Sequence, residues 1–207
     1  MDLTTVAALL LDMDGTLVDS DAAVERAWHT WAAEHGVDPA AALAIAHGAP
    51  AADTVRRLLP GLDEPAGTTA ALRQLELQYD DLADVTATPG ATDLIAALTR
   101  LGLPWAVVTS ADTRLAKARL AAAGIDPPVL VTTDDITAGK PSPEGYLRAA
   151  ELLGTPPARC LVVEDAEVGI RAGHAAGAAT AGLKGVAADL PIGDLGQLAT
   201  LLLAARA

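Results

Sequence analysis

Four short polar groups in this chain each follow an apolar run, and their residue types suit chemistry on a phosphoryl group. Asp12-Met13-Asp14-Gly15-Thr16 follows the run 6–11, and Thr109-Ser110 closes the run 105–109. Lys140-Pro141 lies beyond the run 129–132 and its loop, and Glu164-Asp165 follows 161–163. If these runs are parallel strands of one sheet, ligands sit beyond their carboxyl ends. One cation, two hydroxyls and four carboxylates then converge. Two such charges about 4 Å apart repel by roughly 4 kcal/mol at an effective dielectric of 20, so the cluster calls for a bound cation. Oxygen-only donors, with none of the four His and not the single Cys among them, select a hard ion, Mg²⁺ rather than Zn²⁺. A carboxylate poised there is a nucleophile toward phosphorus. The i, i+2 spacing of Asp12 and Asp14 lets one acid attack while the other, protonated, donates to the departing alcohol. Thr109 and Ser110 would hold phosphoryl oxygens, and Lys140 would oppose the developing negative charge.

The elements needed to position these groups are legible as well. Apolar runs at 6–11, 105–109, 129–132 and 161–163, with a weaker one at 178–183, read as strands. Between and after them, Ala/Leu-rich stretches of helical period cover 91–101, 113–123, 143–153, 166–176 and 195–205. Alternation of this kind predicts an α/β fold with a parallel sheet. From Asp19 to about Thr88 the chain carries helix-like segments and no convincing strand, too long a stretch for a single crossover. The reading is an inserted small α-helical cap over 19–88, with the core formed by 1–18 and 89–207. Its exit is Asp19-Ser20-Asp21 and its return the breaker Thr88-Pro89-Gly90.

Taken in order, Asp12-Met13-Asp14-Gly15-Thr16-Leu17, Thr109-Ser110, Lys140-Pro141 and Glu164-Asp165 resemble the four motifs of the haloacid dehalogenase superfamily of phosphohydrolases. The resemblance spans the whole chain and implies a Rossmann-like core with a helical cap. It implies that Asp12 is nucleophile and metal ligand, and that Asp14 is general acid/base and offers its backbone carbonyl to Mg²⁺. It further implies that Asp165 is a ligand, that Glu164 acts on the metal from a second shell or through water, and that Thr109, Ser110 and Lys140 bind the phosphoryl group. In the insert, Ala23-Val24-Glu25-Arg26-Ala27-Trp28, Trp31-Ala32 and His47-Gly48 look like the hexitol and sugar phosphatases, a group that includes the 2-deoxyglucose-6-phosphate and glycerol-phosphate phosphatases. The stretch 102–110 strengthens that match, whereas Ala111, Asp112 and Ala49-Pro50-Ala51 depart from it. A Mg²⁺-dependent phosphatase for small sugar or polyol phosphates, working through an aspartyl-phosphate, is the expected function. The alternatives are a β-phosphoglucomutase-like mutase and a phosphatase for another small ester such as phosphoglycolate. A receiver module that switches without turnover fits the motif order less well, and a dehalogenase has no use for an acid at position 14.

Several residues have two readings. His47 before Gly48 serves either as a substrate contact or as the end of a helix with its glycine cap. Trp28 and Trp31, i, i+3 neighbours, read as packing, and Glu25 and Arg26 face either the site or solvent. Arg56 and Arg57 read as solvated, and Cys160 as a small buried hydrophobe.

Composition sets outer bounds. The 207 residues are 51% hydrophobic with a mean hydropathy of +0.32, enough for a sizeable core, yet aromatics make up 2% and Phe is absent. Base stacking therefore has few platforms. A net charge of -13 repels nucleic acid and anionic membranes. No run approaches the roughly 20 apolar residues of a membrane helix, and 6–11 lacks a basic lead-in. A cytoplasmic monomer or weak homo-oligomer with a small-molecule substrate is expected.

Overall fold

A computed structural model describes residues 1–46, 49–79 and 82–207. Its centre is a six-stranded parallel sheet in the order β5-β4-β1-β6-β7-β8, formed by β1 (Ala8–Leu11), β4 (Trp105–Val108), β5 (Leu130–Val131), β6 (Cys160–Glu164), β7 (Ala179–Gly182) and β8 (Leu190–Pro191). The middle strands are buried end to end, which is why they read as unbroken apolar runs rather than alternating ones. Alternation nevertheless decides which face each side chain supports. Leu9, Leu11, Trp105, Val107, Leu161 and Val163 pack on one face with α5 (Ala91–Leu101), α6 (Thr113–Ala122) and α9 (Leu195–Ala204). Leu10, Ala106, Val108, Cys160 and Val162 pack on the other with α7 (Glu144–Leu152) and α8 (Glu167–Ala175). This makes a doubly wound α/β fold of the Rossmann type.

Order reverses at β1. The chain moves outward through β4 and β5 on one side, then through β6, β7 and β8 on the other. Register places Leu11 beside both Val107 and Val163, so the residues that follow these strands open into one crevice. The helices α5 to α9 lie within one residue of their expected bounds. Gly102, at φ 63°, closes α5 with its N–H on the Leu98 and Thr99 carbonyls. Asp112 and Asp194 accept from backbone N–H groups at the starts of α6 and α9.

Between β2 (Val18–Asp19) and β3 (Thr86–Ala87) the chain forms α1 (Asp21–His35), α2 (Pro39–Ala46), α3 (Ala51–Leu58) and α4 (Glu64–Tyr79). These helices share an apolar cluster of their own, built on Trp28, Trp31, Ala42, Val55, Ala70 and Ala71. Trp31 donates its indole N–H to the Ala70 carbonyl at 2.8 Å and meets Trp28 edge-on with centroids 5.2 Å apart, so both indoles pack as expected. The sequence reading found no strand in this stretch. β2 and β3 nonetheless pair antiparallel at its base, Val18 with Ala87 and Asp19 with Thr86. Two residues per strand are too few to show a period of two. The first strand also begins at Ala8 rather than at position 6, because Leu3–Thr5 forms a 3₁₀ turn capped by Asp2 and Val6 closes it with an N–H to the Leu3 carbonyl.

Candidate active site

Asp12 leaves the end of β1 buried, and its carboxylate is held by the Lys140 ammonium. The same ammonium reaches Glu164 Oε1 at 2.6 Å and the Val108 carbonyl at 3.3 Å, which ties the ends of β1, β4 and β6 together. Tyr146 on α7 donates its hydroxyl to the same Glu164 oxygen at 2.6 Å. Burial pushes the Asp12 pKa well above the ordinary carboxylate range, repulsion from Glu164 adds to this, and Lys140 pulls the other way. Burial also works against the Lys140 ammonium. Attraction to Asp12 and Glu164 outweighs it and holds the pKa above that of a free lysine. Burial raises Asp165 as well, opposed by Lys184, whose ammonium lies 3.1 Å from Asp165 and 2.9 Å from Asp21.

Oxygens of Asp12, Glu164 and Asp165 lie within 4.8 Å of one another. With Asp21 they make four carboxyl groups against the two ammonium groups of Lys140 and Lys184, an excess of acidic oxygens. The donor set therefore fits a hard divalent cation. Space around it is closely fitted. A Cβ on Gly15, whose φ is +81°, would lie 2.1 Å from Asp165 Oδ2, and one on Gly169 would lie 1.8 Å from Glu164 Oε1. Glycine at 15 serves both the turn and the close approach.

After Asp12 the chain folds back, with the N–H groups of Leu17 and Val18 on the Met13 carbonyl, and this turns Asp14 into the same cavity as Asp12. Asp14 accepts from Ser20 Oγ at 2.6 Å and from Arg119 Nη1 at 2.8 Å. Thr109 and Ser110 line this cavity beside the two acids. Asp12, Asp14, Thr109, Ser110 and Asp165 are thus brought to one volume, with Lys140 and Glu164 behind Asp12. His47 and Gly48 lie outside the described residues. Glu25 and Arg26 point away, Arg26 pairing with Asp84 at 2.7 Å on the surface, and Arg56 pairs with its neighbour Asp53 at 2.8 Å. Cys160 is buried, and its thiol is pushed up to about 11 by that burial.

Sequence reasoning missed the groups that support the acids. Arg119 is 2% exposed, yet it sits in the buried stripe Leu115, Ala116, Arg119, Leu120 of α6. Gln74 and Gln78 likewise continue the buried stripe Ala70, Ala71 of α4. A polar residue on the apolar face of a helix was the available signal.

The chain matches the model of the haloacid dehalogenase-like hydrolase family over residues 6–177. It belongs to that family. Hexitol phosphatase A of Escherichia coli is 45% identical over 170 residues, which cover 81% of this chain and 78% of the relative. The 2-deoxyglucose-6-phosphate phosphatase 1 of Saccharomyces cerevisiae is 37% identical over 193 residues, 84% of this chain and 78% of the relative. Among solved structures, a β-phosphoglucomutase from Clostridium difficile superposes with a TM-score of 0.85 at 20% identity, covering 93% of each chain, a likeness of fold. This haloacid dehalogenase-like hydrolase is a phosphatase, a phosphoric monoester hydrolase. No helix among the described residues is long and apolar enough to cross a membrane.

Proposed function

We propose that this hydrolase cleaves small sugar or polyol phosphates, with Mg²⁺, by transferring the phosphoryl group to Asp12. The observation that carries the reading is the placement of Asp12 and Asp14. Both open into a cavity of about 80 Å³ whose other wall comes from α1 and α4, including Trp28, Gln74 and Gln78. Residues 19–88 act in this reading as a cap domain over a catalytic core of 1–18 and 89–207. A wall of this kind limits the size of the substrate and narrows the access of bulk water to the transfer step. The names of the relatives, a hexitol phosphatase and a 2-deoxyglucose-6-phosphate phosphatase, support the substrate class.

Asp12, Asp165 and the Asp14 main-chain carbonyl would hold the cation, with Glu164 acting through water. When bound, Mg²⁺ supplies positive charge to the phosphoryl oxygens. The residues of the chain do the rest. An Asp12 oxygen attacks phosphorus, the bond to the sugar oxygen breaks, and the Asp14 carboxyl gives that oxygen its proton. Thr109 and Ser110 hold the phosphoryl oxygens, and Lys140 offsets charge at Asp12. Water then attacks phosphorus, Asp14 takes its proton, and the bond to Asp12 breaks, releasing inorganic phosphate and restoring both acids.

The test is phosphate release from hexitol, hexose, glycerol, glycolate and nucleotide monophosphates, each with Mg²⁺ and with chelator, and with Asp12→Asn as blank. Release confined to sugar and polyol esters, lost with chelator and restored by Mg²⁺, is the expected result. Preference for glycolate or nucleotide esters, or full activity in chelator, would overturn the reading. An isomerised sugar phosphate formed without free phosphate would instead show a mutase.

A further inference from the structure

We infer that Gln74 selects the substrate, its side-chain amide donating to a hydroxyl oxygen of the part of the ester that leaves as alcohol. This deepens the proposed function and rests on it. A directed chain of hydrogen bonds crosses from the core to α4. Arg119 donates to Asp14 at 2.8 Å and to Gln78 Oε1 at 2.7 Å. Gln78 in turn donates from Nε2 to Gln74 Oε1 at 2.5 Å. Each amide is thereby fixed in orientation, because an Oε1 that accepts leaves its own Nε2 to donate. The chain ends at Gln74 Nε2.

That nitrogen has no partner among the described residues, although Gln74 is fully buried. Arg119 Nε is in the same condition. An orphaned buried donor is costly, and few survive in a folded protein unless something outside the chain completes them. Both side chains line the cavity that also holds Asp12 and Asp14. A ligand that completes this nitrogen is an acceptor and meets it from the α4 wall of the cavity, whereas Asp12 and Asp14 belong to the core wall. A sugar or polyol carries hydroxyl oxygens in that part of the molecule. The acid that protonates the leaving oxygen, Asp14, is anchored to the same chain through Arg119. Recognition of the leaving group and placement of its proton donor thus share one framework.

Gln74→Met keeps the length and much of the packing of the side chain while removing its amide. It is compared with the unaltered protein on a hexitol 6-phosphate, on deoxy analogues of that ester lacking one hydroxyl each, and on p-nitrophenyl phosphate, which has no hydroxyls. A loss of about tenfold in kcat/KM on the hexitol ester, mostly through KM, is expected. Activity on p-nitrophenyl phosphate should fall by clearly less, through the loosened Gln78–Arg119–Asp14 chain alone, and the extra deficit should vanish on the one deoxy analogue that lacks the contacted hydroxyl. Equal losses on all esters would show a structural role and overturn the inference. So would full retention of the hexitol preference in Gln74→Met, which leaves the sugar-phosphate reading standing. An unaltered protein that hydrolyses p-nitrophenyl phosphate as efficiently as the hexitol ester would overturn both.

Discussion

Arg119→Met tests whether the buried cation on α6 supports Asp14, the proposed proton donor. The guanidinium is 2% exposed and holds Asp14, whose side chain is 29% exposed, together with Gln78. Removing one partner of a buried pair costs about 3–5 kcal/mol when the survivor stays dry. Here water still reaches Asp14, and the substitution also removes an arginine whose Nε is unpaired. The expected loss is therefore about 2 kcal/mol, which at roughly 2–4 °C per kcal/mol for a chain of this length lowers Tm by about 4–8 °C. Activity should fall further than stability implies, because Asp14 keeps only its Ser20 bond and misplacement of about 1 Å costs on the order of 10²-fold in rate. Thermal unfolding and steady-state phosphate release on the same preparation separate the two effects. A lowered Tm with unchanged kcat would refute the positioning role, and an unchanged Tm would refute the energetic argument.

The other perturbations act at defined places. Gly169→Ala puts a Cβ 1.8 Å from Glu164 Oε1, so Glu164 must leave Lys140 and Tyr146; kcat should drop by on the order of 10²-fold, and retention of wild-type turnover would contradict the geometry. Gly67→Ala on α4 meets nothing within 4 Å and should instead stabilise the fold by about 0.5–1 kcal/mol, read from the urea midpoint. Tyr79 gives the alkaline counterpart: burial and its hydrogen bond to Asp112 at 2.5 Å raise the phenol pKa to about 12. Unfolded chain loses that proton from about pH 10, so the stability it contributes is whole below pH 10 and is lost as pH rises toward 12. Tyr79→Phe should show a shallower fall in urea midpoint across that window, and identical slopes would sink the assignment.

Much of this architecture could be read from the chain because its strands are buried on both faces and stop at polar residues. The run ending at Leu11 locates β1, and Asp12 follows as the first group beyond the sheet edge. The core helices were equally plain, since their expected and observed bounds agree to within one residue. The β2–β3 pair stayed hidden because its ladder is set by the return of the chain at Thr86, not by any local pattern. Arg119, Gln74 and Gln78 escaped for a different reason. Motif reading looks at strand ends, whereas these residues act from helix interiors, and Arg119 bonds to Gln78, 41 positions away, and to Asp14, 105 away. Lys184 was missed too, since its role depends on lying between Asp165 and Asp21, which the sequence separates widely.

The central claim is that Asp12 itself carries the phosphoryl group during turnover. Its most direct measurement is acid quenching of the working enzyme with a hexitol 6-phosphate and Mg²⁺, followed by proteolysis and mass spectrometry of the peptide containing Asp12 and Asp14. A phosphoryl adduct located on Asp12, absent without substrate and absent in Asp12→Asn, is the predicted result. Substantial phosphate release by Asp12→Asn, or an adduct located on Asp14, would contradict the account.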